Sequence, residues 1–429
     1  MLGYEPHGFS RDDQERIGGL AMGRRAVLKG ASLAAMSVAI GAVIPFARFM
    51  PKGYVPLALA QDAKLDFPGK SSELVVIGDK PLVAETPAHL LDDDVTPTEA
   101  HYIRNNGQIP ELPAEPDSWK ITIDGEVGSP LTLTLGDLKG RFENVTHQLV
   151  LECGGNGRTQ FVPAARGNPW TTGGVGCARW TGVRLKDVLD AAGPKPSAIY
   201  TAHYGADPHL SGDPEKQALS RGVRLEKAME PHTLIVFAMN GEPLPAVHGA
   251  PVRLIVPGWS GSASQKWLTR IQLRDQEHDG QGMKGTSYRV PVVPIVPGSE
   301  HKGEGFRILE SMPVKSLITS PADGARSPAG ARELDVRGHA WAGDLTVQDV
   351  FVSVDFGQSW QKADLKAPVN RYAWQRWSTK VALPSEGYYE IWARAVDSDG
   401  KSQPFAAPNW NPGGYGGNAY HRIAILVEA

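Results

Sequence analysis

The chain has 429 residues and a formal net charge of −3, which gives neither the basic excess of a nucleic-acid binder nor an acidic tail. Its length exceeds what one hydrophobic core usually holds, so two domains are expected, and 48 glycines and 34 prolines with many short alternating runs argue for a β-rich chain with long ordered loops. Two cysteines exclude a four-cysteine zinc site, an iron–sulfur cluster and a disulfide framework, and no Cys-x-x-Cys-His heme attachment motif occurs.

At the start of the chain, Gly23-Arg24-Arg25-Ala26-Val27-Leu28-Lys29 is a twin-arginine motif. It precedes an apolar stretch from Ala31 to Ala47 and then Ala58-Leu59-Ala60, an Ala-x-Ala cleavage pattern. Residues 1–60 therefore read as a twin-arginine signal peptide, which places the mature chain in the periplasm. A membrane anchor is the alternative, but the apolar run is broken by Pro45 and Arg48 near the ~20 residues a span needs, so no stable span is expected after cleavage. The twin-arginine route carries folded proteins and so hints at a cofactor loaded before export.

Residues 61–307 mix strands with short helices and predict an α+β domain. Trp119 to Gly125 alternates as a strand does, and Leu185 to Ala192 has helical spacing with Gly193 as a stop. Between them, Leu151-Glu152-Cys153-Gly154-Gly155-Asn156-Gly157-Arg158 sets a cysteine in a glycine-rich turn beside a cation, where a reactive or metal-binding thiolate is favoured. Cys177, among small and apolar residues, reads as structural; a Cys153–Cys177 disulfide is the alternative, and it would remove Cys153 as a ligand. If Cys153 binds a metal, a cofactor must bring most of the other ligands.

Pro291 to Gly298 reads as an extended proline-rich connector. From residue 308 to 429 the spacing predicts an immunoglobulin-like sandwich, with strands at Val314–Thr319, Leu334–Ala340, Val347–Val354, Tyr372–Val381, Tyr388–Asp397 and Tyr420–Val427. Its Trp341, Trp360, Trp374, Trp377 and Trp392 read as core or interface anchors, and such a module is expected to supply a surface, not chemistry.

Several ordered motifs then carry a resemblance. The Cys153 run, Ala178-Arg179-Trp180-Thr181-Gly182-Val183, Met239-Asn240-Gly241-Glu242-Pro243, His248-Gly249-Ala250-Pro251-Val252-Arg253 and Lys266-Trp267-Leu268 occur in the order seen in the sulfite oxidase family of molybdenum enzymes. Pro408-Asn409-Trp410-Asn411 and Asn418-Ala419-Tyr420-His421-Arg422 are similar to that family's dimerisation domain. The likeness spans essentially the whole mature chain. It implies one molybdenum–molybdopterin, no heme in this chain, and Cys153 as the only protein ligand to molybdenum; a soft thiolate suits such a centre.

The resemblance also implies roles for other residues. Arg104 matches an arginine near both pterin and substrate, Arg158 a second arginine of the anion pocket, Trp170 an aromatic wall, and Tyr288 the active-site tyrosine, displaced by one residue. Tyr102, Ile103, Asn105 and Asn106 flank Arg104; His248 and Arg253 match cofactor positions; Ser264, Gln265 and Lys266 match the segment that holds the pterin phosphate. Asp207 is expected at the pterin ring, with Asp213 as the alternative. At Gly413 animal relatives carry an arginine of the anion pocket, which bears on the substrate.

The implied activity is oxidation of sulfite to sulfate, or of a related sulfur oxyanion, with electrons leaving singly to a c-type cytochrome from a homodimer. The rivals are the molybdenum subunit of a sulfane dehydrogenase within a thiosulfate-oxidising complex and, from another class, a non-catalytic periplasmic binding protein.

Overall fold

The computed structural model describes residues 65–428. The expected signal peptide and its cleavage site lie outside the described residues. Among the described residues no helix is long and apolar enough to cross a membrane.

The first part is built on two five-stranded sheets. One contains Asn144–Glu152, Val175–Arg184, Leu234–Met239, Glu242–Pro243 and Arg253–Ile255. The other orders Leu131–Thr134, Lys120–Gly125, Leu268–Arg274, Tyr200–Gly205 and Gly222–Arg224, with Lys120–Gly125 and Leu268–Arg274 parallel. Residues from both sheets and two short helices share one core, including Ile121, Ile123, Val183, Leu189, Ile235, Leu254 and Ile271. Helix Leu135–Arg141 begins in a capping box, in which Thr134 and Asp137 satisfy each other's backbone N–H. Helix Leu185–Ala192 buries Leu185, Val188, Leu189 and Ala192 on one face, and Gly193 at φ +67° ends it. A small sheet of Val75–Asp79, Leu82–Glu85 and Ile103–Arg104 brings Arg104 to this body.

The second part is a β-sandwich. Its sheets order Lys315–Ser320, Glu333–Trp341, Gln375–Ala382, Asp364–Leu365 and, opposite, Ala325–Ser327, His421–Val427, Gly387–Asp397, Val347–Ser353, Gln361–Lys362. Alternate residues such as Ile391, Ala393 and Ala395, or Ile423, Ile425 and Val427, enter the shared core, as strand pleating requires. The six expected strands are present with ends shifted by a few residues, the largest shift being Gln375 in place of Tyr372, whose hydroxyl is engaged by Lys227. The proline-rich connector is extended only in part: Arg289–Pro291 pairs with Phe306–Ile308.

The sandwich is more than an outer surface. Lys315 Nζ, on its first strand, donates to Glu152 Oε1 at 2.5 Å and to the Asn156 carbonyl at 3.0 Å. Trp341 Nε1 donates to Glu152 Oε2 at 2.8 Å, and Asn156 Nδ2 donates to Glu152 Oε1 at 2.9 Å. The Glu152 and Lys315 side chains are only 3% and 7% exposed, so the pair is desolvated on both sides. This corrects the expectation of a module without bearing on chemistry, because Glu152 directly precedes Cys153.

Candidate active site

Cys153 leaves the end of strand Asn144–Glu152, and its N–H donates to the Gly174 carbonyl at 2.8 Å. The following turn is closed by Asn156 N–H donating to the Cys153 carbonyl at 2.9 Å. Glycine is required at 154: a Cβ there would stand 2.5 Å from Ser260 Oγ. The thiol is buried and free. Cys177 is also free, pairs across the sheet with Val150, and burial pushes its thiol up to about 12, so it packs as an inert apolar group. Neither cysteine is in a disulfide.

The sulfur opens onto a cavity that is also lined by Tyr102, Arg104, Asn106, Asp207, His248, Arg253, Ser264, Gln265, Lys266 and Tyr288. Six separate chain stretches thus converge on one site. Arg253, on strand Arg253–Ile255, donates to the carbonyls of His248 at 2.8 Å and Ser264 at 3.0 Å, and stacks over Trp180. Burial lowers it to about 10. Lys266 Nζ donates to the Val247 carbonyl at 2.9 Å and to Asn105 Oδ1; burial holds its pKa well below the lysine range, and Arg253 adds to the effect.

Among the described residues only one carboxylate lines the cavity beside these cations. Burial raises Asp207 to about 6, opposed by Lys266. Asp213 does not reach the cavity; it pairs with Lys216 at 3.2 Å.

His248 is buried and neutral, with its pKa lowered by burial first and by Lys70 second. Lys70 Nζ lies 3.0 Å from His248 Nε2 and donates to the carbonyls of Thr98 at 2.5 Å and His101 at 2.6 Å. Burial brings Lys70 down to about 7; when it is protonated it donates to Nε2, and the imidazole proton then sits on Nδ1. His101, brought to about 3 by burial, stacks on Tyr102 and meets His248 edge-on at 5.2 Å.

Other expected residues stand behind this wall. Arg158 donates to the carbonyls of Gly413 and Asn168, both at 2.7 Å, and lies over Tyr415 rather than lining the cavity. Three glycines, 155, 167 and 414, let its side chain pass, and the glycine backbone at 413 holds it there. Trp170 is fully buried edge-on to Tyr102 at 5.8 Å, one layer removed. Ile103 points into the core with Leu74, Ala84 and Val247, since strand alternation sends Tyr102 and Arg104 the other way. Asn105 contributes through Lys266.

Sequence reasoning missed Lys70, His101, Arg221 and Tyr415. Lys70 and Arg221 sit in Gly69-Lys70-Ser71 and Ser220-Arg221-Gly222, which carry no signal of chemistry; only the fold brings them here. His101 stood next to a recognised motif, and its burial was the information lacking.

The residues fit an anionic, many-donor cofactor. His101 Nε2, Arg104 Nη1 and Gln265 Oε1 are buried polar atoms without partners among the described residues, and there cations outnumber the carboxylate around the cavity. An isolated buried charge is costly unless an opposite charge joins it, so a phosphate-bearing group would offset Arg253 and Lys266.

Comparison with known proteins agrees. Residues 106–282 match the model of an oxidoreductase molybdopterin binding domain, and residues 307–428 that of a Mo-co oxidoreductase dimerisation domain. Mitochondrial sulfite oxidase of Mus musculus is 34% identical over 391 residues, covering 87% of this chain and 69% of that protein. Sulfite oxidase of Gallus gallus is 35% identical over 378 residues, covering 85% and 80%. The chain belongs to the sulfite oxidase family.

A solved structure of the sulfane dehydrogenase SoxCD from Paracoccus pantotrophus matches with a TM-score of 0.67 at 26% identity, over 90% of this chain and 95% of that one. As a member of the family, the chain is a molybdenum-dependent oxidoreductase of sulfur donors that carries molybdopterin. The free thiol of Cys153 is the soft donor at the cavity that can hold molybdenum, while Arg253, Ser264, Gln265, Lys266 and His248 form the wall available to the pterin and its phosphate.

Proposed function

We propose that this oxidoreductase is a periplasmic sulfite dehydrogenase, exported by the twin-arginine route, that oxidises sulfite to sulfate as a homodimer and passes electrons singly to a c-type cytochrome. The observation that carries the choice of substrate is that Arg104, Tyr288 and the Cys153 thiol face one cavity, with Arg104 Nη1 buried and without a partner among the described residues. A small dianion supplies the acceptor oxygens such a guanidinium lacks. Molybdenum held there would supply two-electron oxygen-atom transfer chemistry.

The chain's own residues then have distinct tasks. Arg104 attracts and orients the oxyanion; Tyr288, whose hydroxyl has no protein partner among the described residues, donates to a substrate or water oxygen. His248, neutral and held by Lys70, offers an N–H donor without adding charge. Tyr102, Leu151 and the Trp170 layer behind them limit water on the Cys153 side.

A second reading is supported by a specific observation. The match to the SoxCD chain covers 95% of that chain, and position 413 is glycine, with Tyr415 beside Arg158. On that reading the substrate is a sulfane sulfur carried on a protein.

Purified exported protein, with molybdenum measured by elemental analysis, separates the two. Rapid reduction of cytochrome c with free sulfite as sole donor supports the sulfite reading. Full molybdenum with turnover only of a protein-bound persulfide supports the sulfane reading, and absence of molybdenum overturns both.

A further inference from the structure

Arg221 carries a charge for which the surrounding protein has no counterpart. It immediately precedes strand Gly222–Arg224, and it is 1% exposed. Its Nη1 donates to the Gly282 carbonyl at 2.6 Å, but its Nε is buried without a partner among the described residues. Neighbouring Arg274 and Arg289 are neutralised by Asp279 at 2.7 Å and Glu277 at 2.6 Å, whereas Arg221 pairs with no carboxylate among the described residues. A desolvated, unpaired guanidinium is destabilising unless an anion approaches.

The geometry says where that anion would be. The guanidinium carbon lies 4.7 Å from the ring centroid of Tyr288, which lines the cavity. Tyr288 stacks on Tyr415 at 4.9 Å and 27°, and Arg158 lies 5.3 Å from the Tyr415 ring. Two arginines therefore flank a tyrosine pair at one wall of the cavity. Tyr288 holds φ +50°, a left-handed conformation uncommon for a tyrosine, so its placement is imposed by its surroundings. Leu219, two residues before Arg221, lines the same cavity and ties that segment to the wall.

We propose that Arg221 is a positioning residue for the substrate oxyanion: it fixes the Tyr288 ring through its face and supplies, from behind that ring, positive charge that draws an anion to the cavity. This rests on the reading of the cavity as an oxyanion site. Arg221 does not touch the anion; it acts through Tyr288 and through space, and in a water-poor wall that charge is weakly screened. The consequence is specificity for charge: loss of Arg221 weakens capture of the anion more than it slows its conversion.

The test uses molybdenum-loaded Arg221→Met and Arg221→Lys enzymes, with sulfite kinetics and calorimetric titration of sulfate, the product anion. In R221M, the sulfite KM and the sulfate Kd are each expected to rise at least tenfold, with kcat within threefold. R221K is expected to bind sulfate within threefold of the parent. Unchanged KM and sulfate affinity in folded R221M would overturn the inference, as would equal losses in both variants, which would mark a packing role. If R221M loses molybdenum or fails to fold, R221K decides: near-parental sulfate affinity supports the role of charge, and a tenfold loss in folded protein overturns it. A parent enzyme that binds sulfate but does not oxidise sulfite would end the sulfite reading and leave this inference standing; a parent that does not bind sulfate would overturn the inference itself.

Discussion

At the scale of single residues, the site is defined by what is buried without compensation. Cys153→Ser replaces the soft donor with a hard one in the same volume. The variant is expected to unfold at nearly the parental temperature while sulfite turnover falls at least about a hundredfold, as read by calorimetry and cytochrome reduction; full turnover would remove Cys153 from the metal. Asp207 gives a pH signature. Its folded pKa of about 6 lies above its ordinary 3.8, so between these values the unfolded chain releases a proton that the folded, cofactor-free chain keeps. Stability contributed by this group is present below pH ~4 and lost as pH rises through ~6, by about 3 kcal/mol. Urea unfolding of cofactor-free protein is expected to show that decline, and Asp207→Asn to remove it.

Much of this residue-level picture was legible beforehand, for a physical reason. Cys153, Arg104, His248, Arg253, Lys266 and Tyr288 lie within motifs whose order along the chain survives folding, and all line one cavity. Ile103 was grouped with them by adjacency, but strand alternation sends it to the core. Arg158 and Trp170 were assigned through the family resemblance, and a matching position in sequence does not say which layer of a wall a side chain occupies. Lys70 reaches His248 across 178 positions, which no local pattern reveals.

At the scale of elements, the Cys153 turn is held from both sides. The first sheet supplies the Gly174 carbonyl, and the sandwich supplies Lys315 and Trp341 to Glu152. Removing one member of a buried ion pair leaves the other unpaired, which costs about 3–5 kcal/mol. Lys315→Met is expected to lose about that much in denaturant unfolding and to carry less molybdenum. Combining it with Glu152→Gln is expected to recover most of the stability, because neither charge is then stranded; a double variant no better than the single would show that the pair is not the source. Strand and helix positions were readable from periodicity, since Leu185–Ala192 and the sandwich strands each have one buried face. The clamp was not readable, because it joins a lysine and a glutamate separated by 163 positions.

At the scale of the whole molecule, the two parts share buried contacts that neither makes alone. Gly416 N–H donates to the Gly154 carbonyl at 3.0 Å, and Ala419 N–H donates to Gln160 Oε1 at 3.0 Å, both at the Cys153 turn and its continuation. Unfolding in calorimetry is therefore expected as one transition with equal calorimetric and van't Hoff enthalpies. Two resolved transitions would show that the sandwich is thermodynamically separate. Sedimentation of the purified protein is expected to give a dimer, in line with the match of residues 307–428 to a dimerisation domain.

The crowd of cations around the cavity has a further consequence for biosynthesis. Until an anionic guest arrives, burial and the nearby Arg253 charge hold Lys266 well below the lysine range, and burial brings Lys70 to about 7, so binding of an anion is expected to be coupled to proton uptake and to firm the cavity wall. Filling the cavity is then expected to act as a late step of folding. Hydrogen exchange at residues 246–266 would record that act, with amides fast in cofactor-free chains and slow once loaded. A cell short of molybdenum would accumulate chains that differ from the mature enzyme in firmness more than in shape, and proteases can read that difference.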